Sequence, residues 1–287
     1  YQGTLNVTAE PATLPPGGSA SLTAALRNVN GLRPTGRVDF DLTVTGLDPS
    51  PDGPTRLPGV PAGGTGEARW RATAPDEPLE HPLKPLPYEL GVTYGPRGEE
   101  RVRAVRTGTL WIAGPLADGL RTVTNSGAVF GQLDERFAID GGGQDLWKGT
   151  AEFGSVYRDG VLTVGTAITV KVDAQAVTGP WARAGIIVRD DLATAGSPGF
   201  VNLSVTPANG VVLSYDSGGD GTLDTYQRIT GVKAPVLLRL TRTAATSYTG
   251  ELSTDDGTSW RKVATVTAPG GAAAQDAGIF MTAANGG

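Results

Sequence analysis

The chain has no cysteine and a single histidine, and aromatic residues make up only 6% of its 287 positions. Without cysteine there is no disulfide framework, no thiolate zinc site and no thiol nucleophile. The lone His81 sits in EHPLKPLP, a proline-rich stretch with no acid–base partner beside it. No run approaches the roughly 18 apolar residues of a membrane span, so no transmembrane segment is expected. Positive charge is also short: the net charge is −5. Nucleic acid is therefore an unexpected partner, because phosphate binding needs a basic surface. No signal peptide precedes Tyr1, which stands directly before the strand-like LNVTAE. That start is expected of a mature chain or an internal fragment.

What the chain has in excess is punctuation. Gly 42 and Pro 21 together exceed a fifth of the residues, while apolar residues still make up 39%. Short Val-, Thr- and Leu-rich runs between such breaks predict an all-β fold, and the length suits two domains. In VDFDLTV, Val38, Phe40, Leu42 and Val44 alternate with Asp39, Asp41 and Thr43, the period of a half-buried strand. About seven such strands over about 110 residues have the density of an immunoglobulin-like sandwich. A boundary is expected near Pro115–Arg121, giving units at 1–114 and 125–287 with a linker at 115–124. The second unit alternates as well. VLTVGTAITVKV (Val161–Val172) reads as one strand, followed by AGIIVR, FVNLSV, VVLSY, PVLLRLTR and RKVATV. This is a larger sandwich, of jelly-roll size.

Three blocks in the second unit carry a resemblance: GGGQDLWKGTAEFGSVYR (Gly141–Arg158), GPWARAGIIVRDDL (Gly179–Leu192) and ELSTDDGTSW (Glu251–Trp260). In this order they resemble the concanavalin A-like, laminin-G-like sandwich module of secreted bacterial proteins. In the first unit, LPPGGSASLTAALRNVNG and VPAGGTGEARWRATAP resemble the NPCBM-associated Ig-like domain of glycosidase tails. The resemblance implies the non-catalytic C-terminal part of a secreted carbohydrate-active enzyme. Its expected partners are a polysaccharide or glycan and a catalytic domain of the same larger protein. Two other readings stay open: a structural pair of domains that binds no glycan, and a jelly-roll enzyme acting on polysaccharide. The resemblance also implies one further strand after DAGIFMTAANGG (Asp276–Gly287). Its absence predicts an open sheet edge, or an edge covered by Ser126–Leu133 or by a second molecule.

Candidate sites are few. DSGGDGTLDTYQ (Asp216–Gln227) follows the spacing of an EF-type calcium loop, with ligands at positions 1, 3, 5, 7, 9 and 12 and glycine at 6. Asp216, Asp220, Thr222 and Asp224 are then the expected Ca2+ ligands and Gly221 the sharp turn. Gly218 offers no side-chain ligand at position 3 and Gln227 no carboxylate at 12, and the flanks are strands. The alternative is an Asp/Gly-rich hairpin turn. Tyr215, Tyr226 and Trp147 are candidates for stacking on a sugar ring, burying its C–H faces. The competing reading places Trp147, like Trp181 and Trp260, in the core, as tryptophan usually is. The neighbouring acids Asp190–Asp191 and Asp255–Asp256 are expected to form turns. Adjacent strand residues point to opposite faces and cannot flank one glycosidic bond.

Overall fold

The computed structural model describes residues 3–96, 98 and 100–285. Among them there is no helix; the chain is all-β and forms sandwich-like sheets. Two compact units emerge, one of residues 1–115 with 131–138, the other of 116–130 with 139–287. The short segment 131–138 thus groups with the first unit rather than the second.

In the first unit a four-stranded sheet runs Gly3–Glu10, Ser19–Asn28, Thr65–Thr73, Ser50–Pro51. A five-stranded sheet runs Thr13–Leu14, Val102–Ala113, Leu83–Gly95, Arg37–Val44, Arg56–Leu57. Strict alternation decides which side chains go inward. In Thr65–Thr73, Ala68, Trp70 and Ala72 are buried while Glu67, Arg69 and Arg71 face water. Val38, Phe40 and Val44 enter the core and Leu42 packs against it. Asp39 stays on the outer side, where Arg37, Arg56 and Arg101 surround it. Burial raises its pKa, but the hydrogen bonds and charges of Arg37 and Arg101 bring it below the usual carboxylate value.

The second unit is a sandwich of seven strands over four. The seven-stranded sheet runs Arg121–Thr124, Gly154–Leu162, Gln275–Thr282, Arg183–Arg189, Val201–Thr206, Gly210–Tyr215, Thr225–Ile229. The four-stranded sheet runs Ala167–Val172, Val236–Ala244, Ser247–Ser253, Arg261–Thr267. Every pairing is antiparallel. Ile186, Val188, Val201, Leu203, Val205, Val211 and Leu213 meet Val236, Leu238, Leu240 and Tyr248 between the sheets.

Two expectations are corrected. Val161–Val172 is not one strand: a turn at Thr163–Thr166 separates Gly154–Leu162 from Ala167–Val172 and sends them to different sheets. Gly165 takes φ 85° there, a left-handed conformation that side-chain-bearing residues rarely adopt, and Val164 is left exposed. Ser126–Leu133 does not cover a sheet edge. Val129–Leu133 instead pairs with Arg136–Asp140 in a two-stranded sheet, and Arg121–Thr124 is the strand that pairs with Gly154–Tyr157. The last described strand, Gln275–Thr282, is central in its sheet, while Ala167–Val172 has a neighbour on one side only. Gly286 and Gly287, where the further strand was expected to begin, lie outside the described residues.

The sheet face turned away from the inter-sheet core is also covered. The segment from Gly141 to Phe153, which holds the small hairpin Leu146–Trp147 with Thr150–Ala151, crosses it. Leu146, Phe153, Leu192 and Leu223 close over Tyr157, Ile187, Phe200 and Phe280. A side chain on Gly143 would lie 2.8 Å from Thr282 Oγ1, so this segment rests directly on the sheet. Val201–Thr206 is consequently buried along its whole length, on both faces.

Candidate functional site

The covered face is where the sequence places its polar strand positions. Register sets Gly185, Ser204, Val212 and Arg228 side by side, and Ile187, Asn202, Ser214 and Tyr226 in the next row. Arg183 lies on the same face, opposite Thr282. Its guanidinium reaches over the intervening strand and donates to Ser214 Oγ at 2.8 Å. Its Nε is 3.6 Å from Asp145 Oδ1 on the covering segment, an ion pair too long for a hydrogen bond. Burial pushes the Arg183 pKa down, against the charge of Asp145.

Several buried atoms of this face have no hydrogen-bond partner: Ser155 Oγ, Arg183 Nε, Asn202 Nδ2 and Oδ1, Ser204 Oγ and Thr282 Oγ1. Asn202 is the extreme, 0% exposed with both ends of its amide unpaired.

Aromatic residues form the rim of this polar floor. Tyr226 lies edge-on to Trp147 at 5.5 Å and to Trp181 at 5.7 Å between ring centroids. Tyr226 is 38% exposed, and both tryptophans are half-buried. Arg228 lies 5.7 Å from the Trp181 ring and 6.0 Å from Tyr226, and donates to Asn209 Oδ1 at 2.7 Å. Arg183 is 5.9 Å from Trp181. The rim thus presents π faces and cations together, the combination that suits apolar ring faces bearing polar substituents.

Of the expected stacking residues, Trp147 and Tyr226 come together here, and Tyr215 does not. Ser214 pairs with Tyr226, which puts Tyr215 on the opposite face, where it packs against the inter-sheet core. Trp181, expected in the core, belongs to the rim instead. Trp260 sits elsewhere, with Arg239 4.0 Å over its ring. Arg183, Asn202, Ser204, Ser214 and Arg228 were missed. The only signal for them was polarity at alternate positions of strands, which ordinarily means a solvent face.

The Asp216–Gln227 loop is built differently from a cation site. Asp216 is 0% exposed. Its Oδ1 accepts from the N–H groups of Gly219 at 2.7 Å and Asp220 at 3.3 Å, and its Oδ2 from Gly221 N–H at 2.7 Å. Asp224 accepts from Ser217 N–H and Oγ and from Thr225 Oγ1. Burial raises the Asp224 pKa, but these bonds bring it below the usual value. Asp220 is exposed and accepts from Thr222 N–H. Gly221 carries φ 80° and its backbone lies against Gly196. The nearest cation is the chain's own: Arg189, buried, donates to Gly221 C=O at 3.0 Å. The carboxylates therefore fold the loop onto its own N–H groups. A calcium ion would have to share these oxygens with the N–H groups they already accept from. Among the described residues no group of three or more metal-ligating side chains comes together.

The adjacent acids are engaged too, Asp191 and Asp255 locally and Asp190 and Asp256 by residues distant in sequence. Asp190 accepts from Gly271 and Ala272 N–H and from Gln275 Nε2. Asp191 caps Ala193 and Thr194. Asp255 accepts from Ser253, Ser259 Oγ and Ser259 N–H, which hold its pKa at about 2. Asp256 meets Lys171 at 2.8 Å. His81 is exposed in the first unit. No described helix is long and apolar enough to cross a membrane.

No family model matches the chain, and no curated protein matches it.

Proposed function

We propose that this chain is a non-catalytic accessory region of a secreted carbohydrate-active enzyme. In this reading an Ig-like sandwich is followed by a concanavalin A-like jelly roll that binds a glycan and holds a catalytic domain of the same protein near it. Such tethering raises the effective concentration of substrate without new chemistry. The observation that carries the reading is the cluster of Trp147, Trp181 and Tyr226 with Arg228 beside them, at the end of rows of buried polar side chains of which Asn202 and Ser204 have no protein partner. Aromatic rings take the apolar face of a sugar, and exposed polar groups such as Arg228 and the Tyr226 hydroxyl take its hydroxyls. The adjacent acids Asp190, Asp191 and Asp255 are each engaged by hydrogen bonds from the chain, which weighs against their use in the enzymatic alternative.

The test is retention of the whole chain on a panel of insoluble polysaccharides, followed by calorimetric titration with oligosaccharides of the one retained. Tyr226→Ala and Trp147→Ala are expected to weaken binding about fivefold each, from the loss of stacking of roughly 1 kcal/mol. Trp260→Ala serves as the control that leaves binding intact. If no polysaccharide retains the chain, the structural alternative takes its place.

A further inference from the structure

The second unit holds an open cleft of about 340 Å³, within the range of small-ligand pockets, roughly 300–1,000 Å³. Three connections wall it: the loop after Ala167–Val172, the turn between Val201–Thr206 and Gly210–Tyr215, and the loop before Val236–Ala244. Its apolar wall is made of Ala174, Val177, Pro207 and Ala234. Val177 is 83% exposed, so solvent reaches this wall. Its polar lining is also available. Asp173 has its side chain 72% exposed and lies 3.8 Å from Lys171, which sits closer to Asp256, at 2.8 Å. Lys233 is exposed. Gln175 donates from Nε2 to the carbonyls of Ala182 at 3.0 Å and Val205 at 3.2 Å. Those bonds fix the loop and leave Gln175 Oε1 as an acceptor.

The cleft adjoins the aromatic cluster. After Pro207 come Ala208 and Asn209, and both donate to the Pro180 carbonyl, Ala208 from its N–H at 3.4 Å and Asn209 from Nδ2 at 2.9 Å. Pro180 precedes Trp181. Asn209 Oδ1 accepts from Arg228 at 2.7 Å, and Arg228 lies 5.7 Å from the Trp181 ring. The Ala182 carbonyl that Gln175 holds belongs to the residue after Trp181. The loop 173–182 thus lines the cleft at its start and carries Trp181, in contact with Tyr226, near its end.

We propose that the cleft is a second subsite of the glycan site, an inference that rests on the glycan-binding reading above. It takes a neutral sugar unit of a chain whose neighbouring units lie against Trp181 and Tyr226. The Asp173 carboxylate and Gln175 Oε1 accept from the sugar's hydroxyls, and the Lys233 ammonium donates to them. Val177, Pro207 and Ala234 meet its C–H groups, in the mixture of apolar wall and few polar groups usual for such pockets. One carboxylate and one ammonium line the cleft, so it has no net charge with which to select an ionic unit. Affinity should then depend on chain length, because only an oligosaccharide long enough to reach from the cluster to the cleft fills both.

The experiment titrates the full chain calorimetrically with cello-, xylo-, manno- and chito-oligosaccharides, each as a ladder of increasing length. In at least one series affinity should rise in a step of about tenfold or more once the oligomer spans both subsites. Asp173→Ala should weaken the long oligomers of that series about tenfold, from the loss of hydrogen bonds to a charged acceptor, and leave the shortest bound oligomer unchanged. Ala174→Trp, which fills the cleft from an exposed position, should do the same. Both substitutions are at the surface and should leave Tm unchanged. Tyr226→Ala should weaken short and long oligomers alike. If both cleft variants bind the long oligomers as the parent does while Tyr226→Ala weakens them, the second subsite is overturned and glycan binding stands. Equal weakening of short and long oligomers by the cleft variants also overturns it, since they would then act through the cluster. Failure of every series to bind removes both readings.

Discussion

The second unit buries polar groups in two regions, and the two are built on opposite terms. Around Arg242 and Asp216 every buried group is answered. Arg242 donates to the carbonyls of Ala245, Leu162, Ala272 and Ala273, Tyr248 donates to Gln275, and Asp216 takes three N–H groups. Beneath Trp147, by contrast, Asn202 and Ser204 are as deeply buried and answered by nothing in the chain. Polarity in a protein interior thus has two meanings. A satisfied network holds the fold in one arrangement, whereas an unsatisfied one raises the free energy of the fold.

The comparison is broken most severely at Arg242. Arg242→Ala removes the donors of four carbonyls at once and leaves a cavity the size of one of the largest fully buried side chains. Losing the partners of several buried acceptors should cost about 3 kcal/mol or more. Urea denaturation of the full chain, followed by tryptophan fluorescence, reads this directly. A loss below about 1 kcal/mol would mean that water replaces the guanidinium, and the region would not be the satisfied network described.

Asp216→Ala is expected to be next, at about 2–3 kcal/mol, because three N–H donors lose their acceptor and Arg189 loses the charge that offsets its burial. The same variant sharpens the question of calcium. With Asp216 and Asp224 each accepting three hydrogen bonds within the loop, millimolar calcium should leave the Tm of the unsubstituted chain unchanged, since only a ligand that binds the folded state raises it. A calcium-dependent rise that Asp216→Ala abolishes would show that the loop rearranges to ligate.

At Asn202 the sign should reverse. Asn202→Leu keeps the approximate size and removes two unpaired polar atoms, so the full chain should gain about 1–2 kcal/mol in the same urea experiment. Opposite signs at Arg242 and Asn202, in one sandwich and by one measurement, would establish that the two regions differ in kind. Equal signs would reduce the contrast to one of degree.

How much of this was readable follows the reach of the physics involved. Thr65–Thr73 in the first unit alternates in sequence and alternates in burial, because nothing covers its outer face. VNLSVT alternates just as cleanly, and Val201, Leu203 and Val205 enter the core as the pattern says. Asn202 and Ser204 do not face water, since the Gly141–Phe153 segment folds over them, and that is a tertiary event with no local signature. Tyr215 and Tyr226 illustrate a second limit. Both flank one loop and both look accessible, yet a single register, Ser214 opposite Tyr226, sends them to opposite faces. Trp147 and Tyr226 stand in the sequence as stacking candidates, and the structure brings their rings together. The Asp216 loop was legible as a tight Asp/Gly turn, but its calcium-like spacing is shared by any turn that caps its own N–H groups.

The smallest effect belongs to Asp255, at the surface. Ser253 and Ser259 hold its folded pKa at about 2, below the ordinary 3.8. A depressed carboxylate pKa means that the ionised form is favoured by folding, so its contribution is complete above the unfolded value and fades as pH falls through about 2. Asp255→Asn removes the ionisable group while keeping an acceptor oxygen. The variant should therefore be slightly less stable than the parent at neutral pH, with the gap closing between about pH 4 and pH 2 and no change above it. Paired thermal melts across that range, at fixed ionic strength, give the difference curve. A gap that stays constant with pH would mean that the Ser253–Asp255–Ser259 turn is held by shape and hydrogen bonding alone, without help from the charge.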